Sequence, residues 1–141
     1  MEIKEIDKQF IRRANRNSAI SCVQSLLQYF NIKITPKDLE EKLLFDKKGN
    51  TTLADIATAF ESFGLITEGF QAKTVSNMDE LTNPAIIPIY SDEGQKDFAV
   101  YYGKYENKYL IGIPFWGLNL FTDWEFDAMW DDRILLEVRK S

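Results

Sequence analysis

The 141-residue chain contains no histidine. That absence removes the usual general base for a serine or cysteine nucleophile, and with it the commonest metal ligand, so no cofactor or metal is expected. A single cysteine, Cys22, excludes an intramolecular disulfide and fits a reducing compartment. No apolar run approaches the roughly 18 residues of a membrane span, and the opening Met-Glu-Ile-Lys-Glu is not a signal peptide. The expectation is a cytoplasmic domain with no direct membrane insertion. Clustered positive charge is also scarce. The formal net charge is −5, and the one basic cluster, Arg12-Arg13-Ala-Asn-Arg16, is short and leads into an apolar stretch. Nucleic-acid binding needs many Lys and Arg side chains to displace counterions, so no nucleic-acid partner is expected and the cluster reads as a solvated lead-in.

What is present suffices for one core. Hydrophobic residues make up 45% of the chain, with ten Phe, six Tyr and three Trp, and residues 1–141 read as a single domain. From Asn17 to Asn31 an apolar helix is expected, capped by Asn17 or Ser18, with Ile20, Val23, Leu26, Leu27 and Phe30 forming one buried face. Before it, Met1 to Ala14 is a short amphipathic or extended lead. Thr35-Pro36 opens a second helix to Leu44, Asp46 to Asn50 is turn-like, and Thr51 or Thr52 caps a third helix that stops near Gly64.

After Gly64 the apolar period changes to two. Ile66 to Ala72 reads as a strand, Val75 to Leu81 as a turn of helix, and Pro84 to Tyr90 as a buried strand whose two prolines point to an edge or a bulge. Asp97 to Tyr105 and Lys108 to Ile113 form a hairpin about Glu106-Asn107, interrupted by Pro114-Phe-Trp-Gly117. Leu118 to Phe121 returns briefly. Asp123 to Trp130 is a capped amphipathic turn, whose Trp124, Phe126 and Trp130 cannot share one helix face, and Ile134 to Val138 is a last strand. Helices first and antiparallel strands after define an α+β domain.

Taken in order, these pieces resemble the papain-like peptidases that cleave bacteriocin-type leaders after a double glycine, found at the N-terminus of peptide-exporting ABC transporters. The family's Asp-Cys-Gly-x-Ala-Cys lines up with Asn17-Ser-Ala-Ile-Ser-Cys22, and its Tyr-Tyr-Gly with Tyr29-Phe-Asn31. Its Gly-x-Thr/Ser-x-Leu is similar to Gly49-Asn-Thr-Thr-Leu53, its aromatic-Gly-Leu to Phe63-Gly-Leu65, and its Leu-x-x-x-Pro-x-Ile to Leu81-Thr-Asn-Pro-Ala-Ile86. Asp97-Phe-Ala-Val-Tyr-Tyr-Gly103, Ile113-Pro-Phe-Trp-Gly117 and Glu125-Phe-Asp-Ala-Met-Trp130 continue the likeness. It implies a papain-like fold, with the N-terminal helices packed on a mainly antiparallel sheet.

The same resemblance places the family's catalytic residues on side chains of other chemistry. The nucleophilic Cys falls on Ser18, the base His on Asp97, its orienting Asp on Ile113 and the oxyanion Gln on Arg12. Cys22 matches a second, non-catalytic cysteine and reads as a small buried residue. A carboxylate titrating near pH 4 is a feeble base for a serine hydroxyl, and Arg12 beside Asp97 would hold it ionised. The expectation is therefore a degenerate domain without peptidase activity.

Two functions follow. The first is a peptidase-like domain that binds an exported peptide or protein, or its leader, for an ABC-type exporter, whose membrane and ATPase domains would continue the chain after Ser141. Phe115 and Trp116 in the loop, with Asp97, Ser18 and Arg12 at the cleft floor, are the candidate substrate-binding residues, and the two rings either face solvent or pack on the domain. The alternative is a free-standing acidic binding protein of the immunity or inhibitor type, using Asp127, Asp131, Asp132, Asp92 and Glu93 against a basic partner.

Overall fold

In a computed structural model, which describes residues 2–12, 18–43, 45, 51–90 and 96–141, four helices precede the sheet. They are α1 (Ile3–Gln9), α2 (Ser18–Tyr29), α3 (Pro36–Lys42) and α4 (Leu53–Glu61). The second half comprises β1 (Leu65–Gln71), a 3-10 turn (Val75–Glu80), β2 (Ala85–Tyr90), β3 (Lys96–Tyr105), β4 (Lys108–Ile113), β5 (Gly117–Phe121), α5 (Asp123–Met129) and β6 (Ile134–Lys140). The strands form one sheet in the order β1-β6-β2-β3-β4-β5, every neighbouring pair antiparallel. This is the α+β arrangement expected from the sequence. The expected cap at Asn17, the Asp46–Asn50 turn, Leu44, Arg13, Arg16, Asp92 and Glu93 lie outside the described residues.

Local chemistry explains where the elements start. Thr35 accepts a hydrogen bond from the Asp38 N–H ahead of Pro36, and Thr52 with Asp55 forms a reciprocal capping box at α4. Thr122 and Glu125 do the same for α5. At the hairpin tip Glu106 and Asn107 both have positive φ, 49° and 71°, the handedness that lets two strands reverse without splaying.

The sheet has a core on each face. Helices α1 to α4 cover one, where Ile20, Val23, Leu26 and Leu27 of α2 meet Ile86, Phe98, Val100 and Tyr102. On the other face the 3-10 turn and α5 bury Met78, Phe126 and Trp130 against Ile87, Tyr101, Tyr109 and Ile111. Asp79 fastens the 3-10 turn there, accepting from Lys104 Nζ at 2.9 Å and from the Tyr109 hydroxyl at 2.8 Å.

Two expectations are corrected. Strand β2 is not an edge or a bulge but lies between β6 and β3. Its pairing with β6 covers only Ala85 and Ile86, so Pro88 stands beyond that ladder, where its missing N–H leaves no gap. Helix α2 does not bury one face only. Every residue from Ser18 to Leu27 is buried, because α1, α3 and α4 enclose the side turned away from the sheet.

The lead segment is seated by a glycine. Gly112 in β4 lies directly under the Phe10 ring, and a methyl group there would overlap it. Phe10 also meets Tyr102 edge-on, with ring centroids 6.3 Å apart. Gly112→Ala is therefore expected to lower stability by about 1–3 kcal/mol, the usual penalty for overfilling a packed site. Urea unfolding followed by circular dichroism measures it, and Phe10→Ala in the same background should recover part of the loss.

Candidate functional site

Ser18 and Asp97 are brought together by α2 and β3. Ser18 opens the helix, and its Oγ accepts the Phe98 backbone N–H at 2.9 Å, which sets its hydroxyl beside the Asp97 carboxylate. Asp97 pairs across the sheet with Ile89 and is half-buried. Burial raises its pKa above the ordinary carboxylate range, and the Ser18 hydrogen bond draws it partly back.

Arg12 departs from the expectation. It was to sit beside Asp97 and hold it ionised, yet its guanidinium lies against Gly117 at the start of β5, where a Cβ would overlap it. Gly117 has φ +104° and no side chain, which leaves that space open. The cause lies on α2. The Ile11 N–H donates to Ser25 Oγ at 2.8 Å and the Ser21 hydroxyl donates to the Ile11 carbonyl, so the segment is pinned along the helix before Arg12 is reached. The shift of Asp97 accordingly carries no contribution from Arg12.

Ile113 is buried among the side chains of the second face, with no polar atom to orient a neighbour. Cys22 is fully buried within α2, where burial, reinforced by the charge of Asp97, pushes its thiol up. Phe115 and Trp116 are the exposed members of the set, at 44% and 62%. Their rings meet edge-on at 5.4 Å, and the turn that carries them is closed by the Trp116 N–H on the Ile113 carbonyl at 2.9 Å. Phe126 and Trp130 are core, and Trp124 is the exposed ring of α5. Among the described residues no group of His, Cys, Asp and Glu is arranged to hold a metal.

Ser21 and Ser25 were not singled out by sequence reasoning. A signal was present: Ser18, Ser21 and Ser25 recur at three- and four-residue spacing on an otherwise apolar helix, a polar stripe that needs partners once buried.

The raised pKa of Asp97 has a definite sign. Between the ordinary range near about pH 4 and its raised position, the folded chain holds this proton more firmly than the unfolded chain, so stability falls as pH rises through that window. Asp97→Asn is expected to raise the melting temperature at neutral pH, and scanning calorimetry should show the gain vanish toward about pH 4. Ser18→Ala leaves the buried Phe98 N–H without its acceptor and should cost about 1–3 kcal/mol.

The comparisons agree with this architecture. The peptidase domain of Streptococcus ComA, a bifunctional ABC transporter of a quorum-sensing pathway, superposes with a TM-score of 0.81 at 20% identity, over 93% of this chain and 97% of that one. A double glycine motif protease from an AMS/PCAT transporter, solved with its leader peptide, gives 0.79 at 18% identity, over 93% and 90%. The N-terminal peptidase C39 like domain of a toxin secretion ATP-binding protein from Vibrio parahaemolyticus gives 0.72 at 16% identity, over 91% and 100%. No curated protein matches the sequence significantly. Likeness at these identities establishes the papain-like fold, and the model of the Peptidase C39 family matches residues 8–141. The chain belongs to the Peptidase C39 family.

Proposed function

We propose that this chain is a non-catalytic C39 domain that binds an exported peptide, or its leader, for an ABC-type exporter at the cytoplasmic face of the membrane. The observation that carries the reading is the state of Ser18. Its oxygen already accepts the Phe98 N–H, and the titratable group beside its hydroxyl is a carboxylate, Asp97. A serine attacks a peptide carbonyl only when a base of suitable strength withdraws that proton. The chain has no histidine to do so, and Ile113 has no polar atom to orient a base. Arg12, turned to Gly117, is not directed at Ser18.

Binding needs less. The exposed Phe115–Trp116 pair offers an apolar anchor on a turn fixed by its own hydrogen bond, and tryptophan is a favoured anchor residue. That one similar domain was solved with a leader peptide, and another belongs to a toxin secretion protein, supports this class of ligand. The acidic-partner alternative is less well supported. Asp127 pairs with Arg133, and Asp132 accepts the Ile134 N–H, so part of that charge is spent within the chain.

Titration of the folded domain with double-glycine leader peptides and with unfolded secretion substrate, followed by tryptophan emission, is expected to show saturable binding. Trp116→Ala should weaken it by about 2 kcal/mol, roughly 30-fold, with the fold retained. Failure of every such peptide to bind would sink the proposal. The leader should also emerge intact from prolonged incubation; cleavage that Ser18→Ala abolishes would show the domain to be a serine peptidase instead.

A further inference from the structure

Strand β5 forms one border of the sheet and, among the described residues, pairs only with β4. Exposed borders of this kind are ordinarily guarded by lysine, proline, a bulge or a covering element, because their free backbone groups template another strand. The opposite border is so treated. In β1, Glu68 pairs with Arg139, and the Thr67 hydroxyl is tied to Glu61 of α4. Strand β5 has no such device: it reads Gly-Leu-Asn-Leu-Phe, without charge or proline, and keeps an unbroken register with β4. Leu120 stands 41% exposed, on the same face as Leu118.

The flanks of the strand are equally uncovered. Trp116, just before it, and Trp124, just after it, are the two most exposed large apolar side chains among the described residues, the latter at 78%. Their charge surroundings differ. Arg12 lies against Gly117 at the first end, whereas Asp123 and Glu125 follow Phe121 at the other. A strand that carries a cation at one end and anions at the other is complementary to itself when run antiparallel.

We propose that β5 pairs with β5 of a second copy of this chain, antiparallel about a two-fold axis at Asn119, joining two six-stranded sheets into one. The arrangement is isologous, so each contact occurs twice. Leu118 then faces Leu120 of the second copy, and Gly117 faces its Phe121. Arg12 comes beside the strand end that runs into Asp123 of the second copy. Trp116 lies opposite Thr122 of the second copy, two residues from its Trp124, which brings the exposed indoles toward one another at both ends. An extended apolar peptide would use the same backbone groups, but it would leave the Arg12 and Asp123 ends without a shared partner. The pairing would cover Trp116, the proposed peptide anchor, so it is measured without a peptide.

Sedimentation velocity of the whole chain, from micromolar to near-millimolar, is expected to show a reversible monomer–dimer equilibrium. Leu120→Lys should raise its dissociation constant by about tenfold or more, with an unchanged unfolding curve as the control. Arg12→Glu and Asp123→Arg should each weaken the dimer, and the two together should restore it. Asn119→Cys, which opposes itself on the axis within disulfide reach, should cross-link under mild oxidation, whereas Asn107→Cys at the hairpin tip should not. A chain that stays monomeric throughout overturns the proposal. So does a dimer indifferent to Leu120→Lys and to both charge reversals. A monomer whose β5 amides become protected from exchange only on adding a leader peptide also overturns it, and identifies the edge as a peptide site.

Discussion

A polar side chain enclosed in a core costs stability unless it finds a partner, and α2 buries four of them, Ser18, Ser21, Gln24 and Ser25. Three of these serve as fasteners. Ser18 joins the helix to β3, while Ser21 and Ser25 hold the segment after α1 at Ile11. Much of the remaining geometry is a consequence. Once Ile11 is held, Phe10 falls over the bare backbone of Gly112 and Arg12 is carried to Gly117, so two glycines on neighbouring strands receive the two side chains that flank the anchor. The hydrophobic contribution of α2 is large but non-directional; the serines set its depth and rotation against the sheet.

On the proposed reading, Ser18 takes the place of the family's nucleophile and is absorbed into that fastening. A serine placed at a helix start and tied to the neighbouring strand stabilises the junction of the helical half with the sheet. The carboxylate beside it costs something in return, since burial disfavours its charge. The resulting group is rigid and partly desolvated. Proposed peptide capture is assigned to a different material, the edge-on pair of rings at the β4–β5 turn, which are exposed and need no proton chemistry.

Much of the fold was readable because its signals are local. The Thr35 and Thr52 caps, the Glu106-Asn107 turn and the switch from helical to strand period each act within a few residues. Helix geometry likewise required that Trp124, Phe126 and Trp130 not share one face, and Trp124 is the ring left outside. What was misread depended on distant partners. Pro84 and Pro88 suggested an edge because nothing nearby shows that β6, some fifty residues later, pairs with only the first two positions of β2. The position of Arg12 was misjudged for a similar reason: alignment placed it by sequence distance from Ser18, whereas side chains of Ser21 and Ser25 decide where the segment runs. The meeting of Ser18 and Asp97 was legible only through family likeness, since 79 residues separate them.

Cys22 sits in the same enclosed helix, its thiol fully buried and disfavoured as thiolate. In the closed state it is inert to alkylating reagents, and it becomes available only when α2 leaves the sheet. The chain therefore carries an intrinsic clock for its own opening: the rate at which the native thiol is alkylated counts the excursions in which the helix that organises the domain comes free.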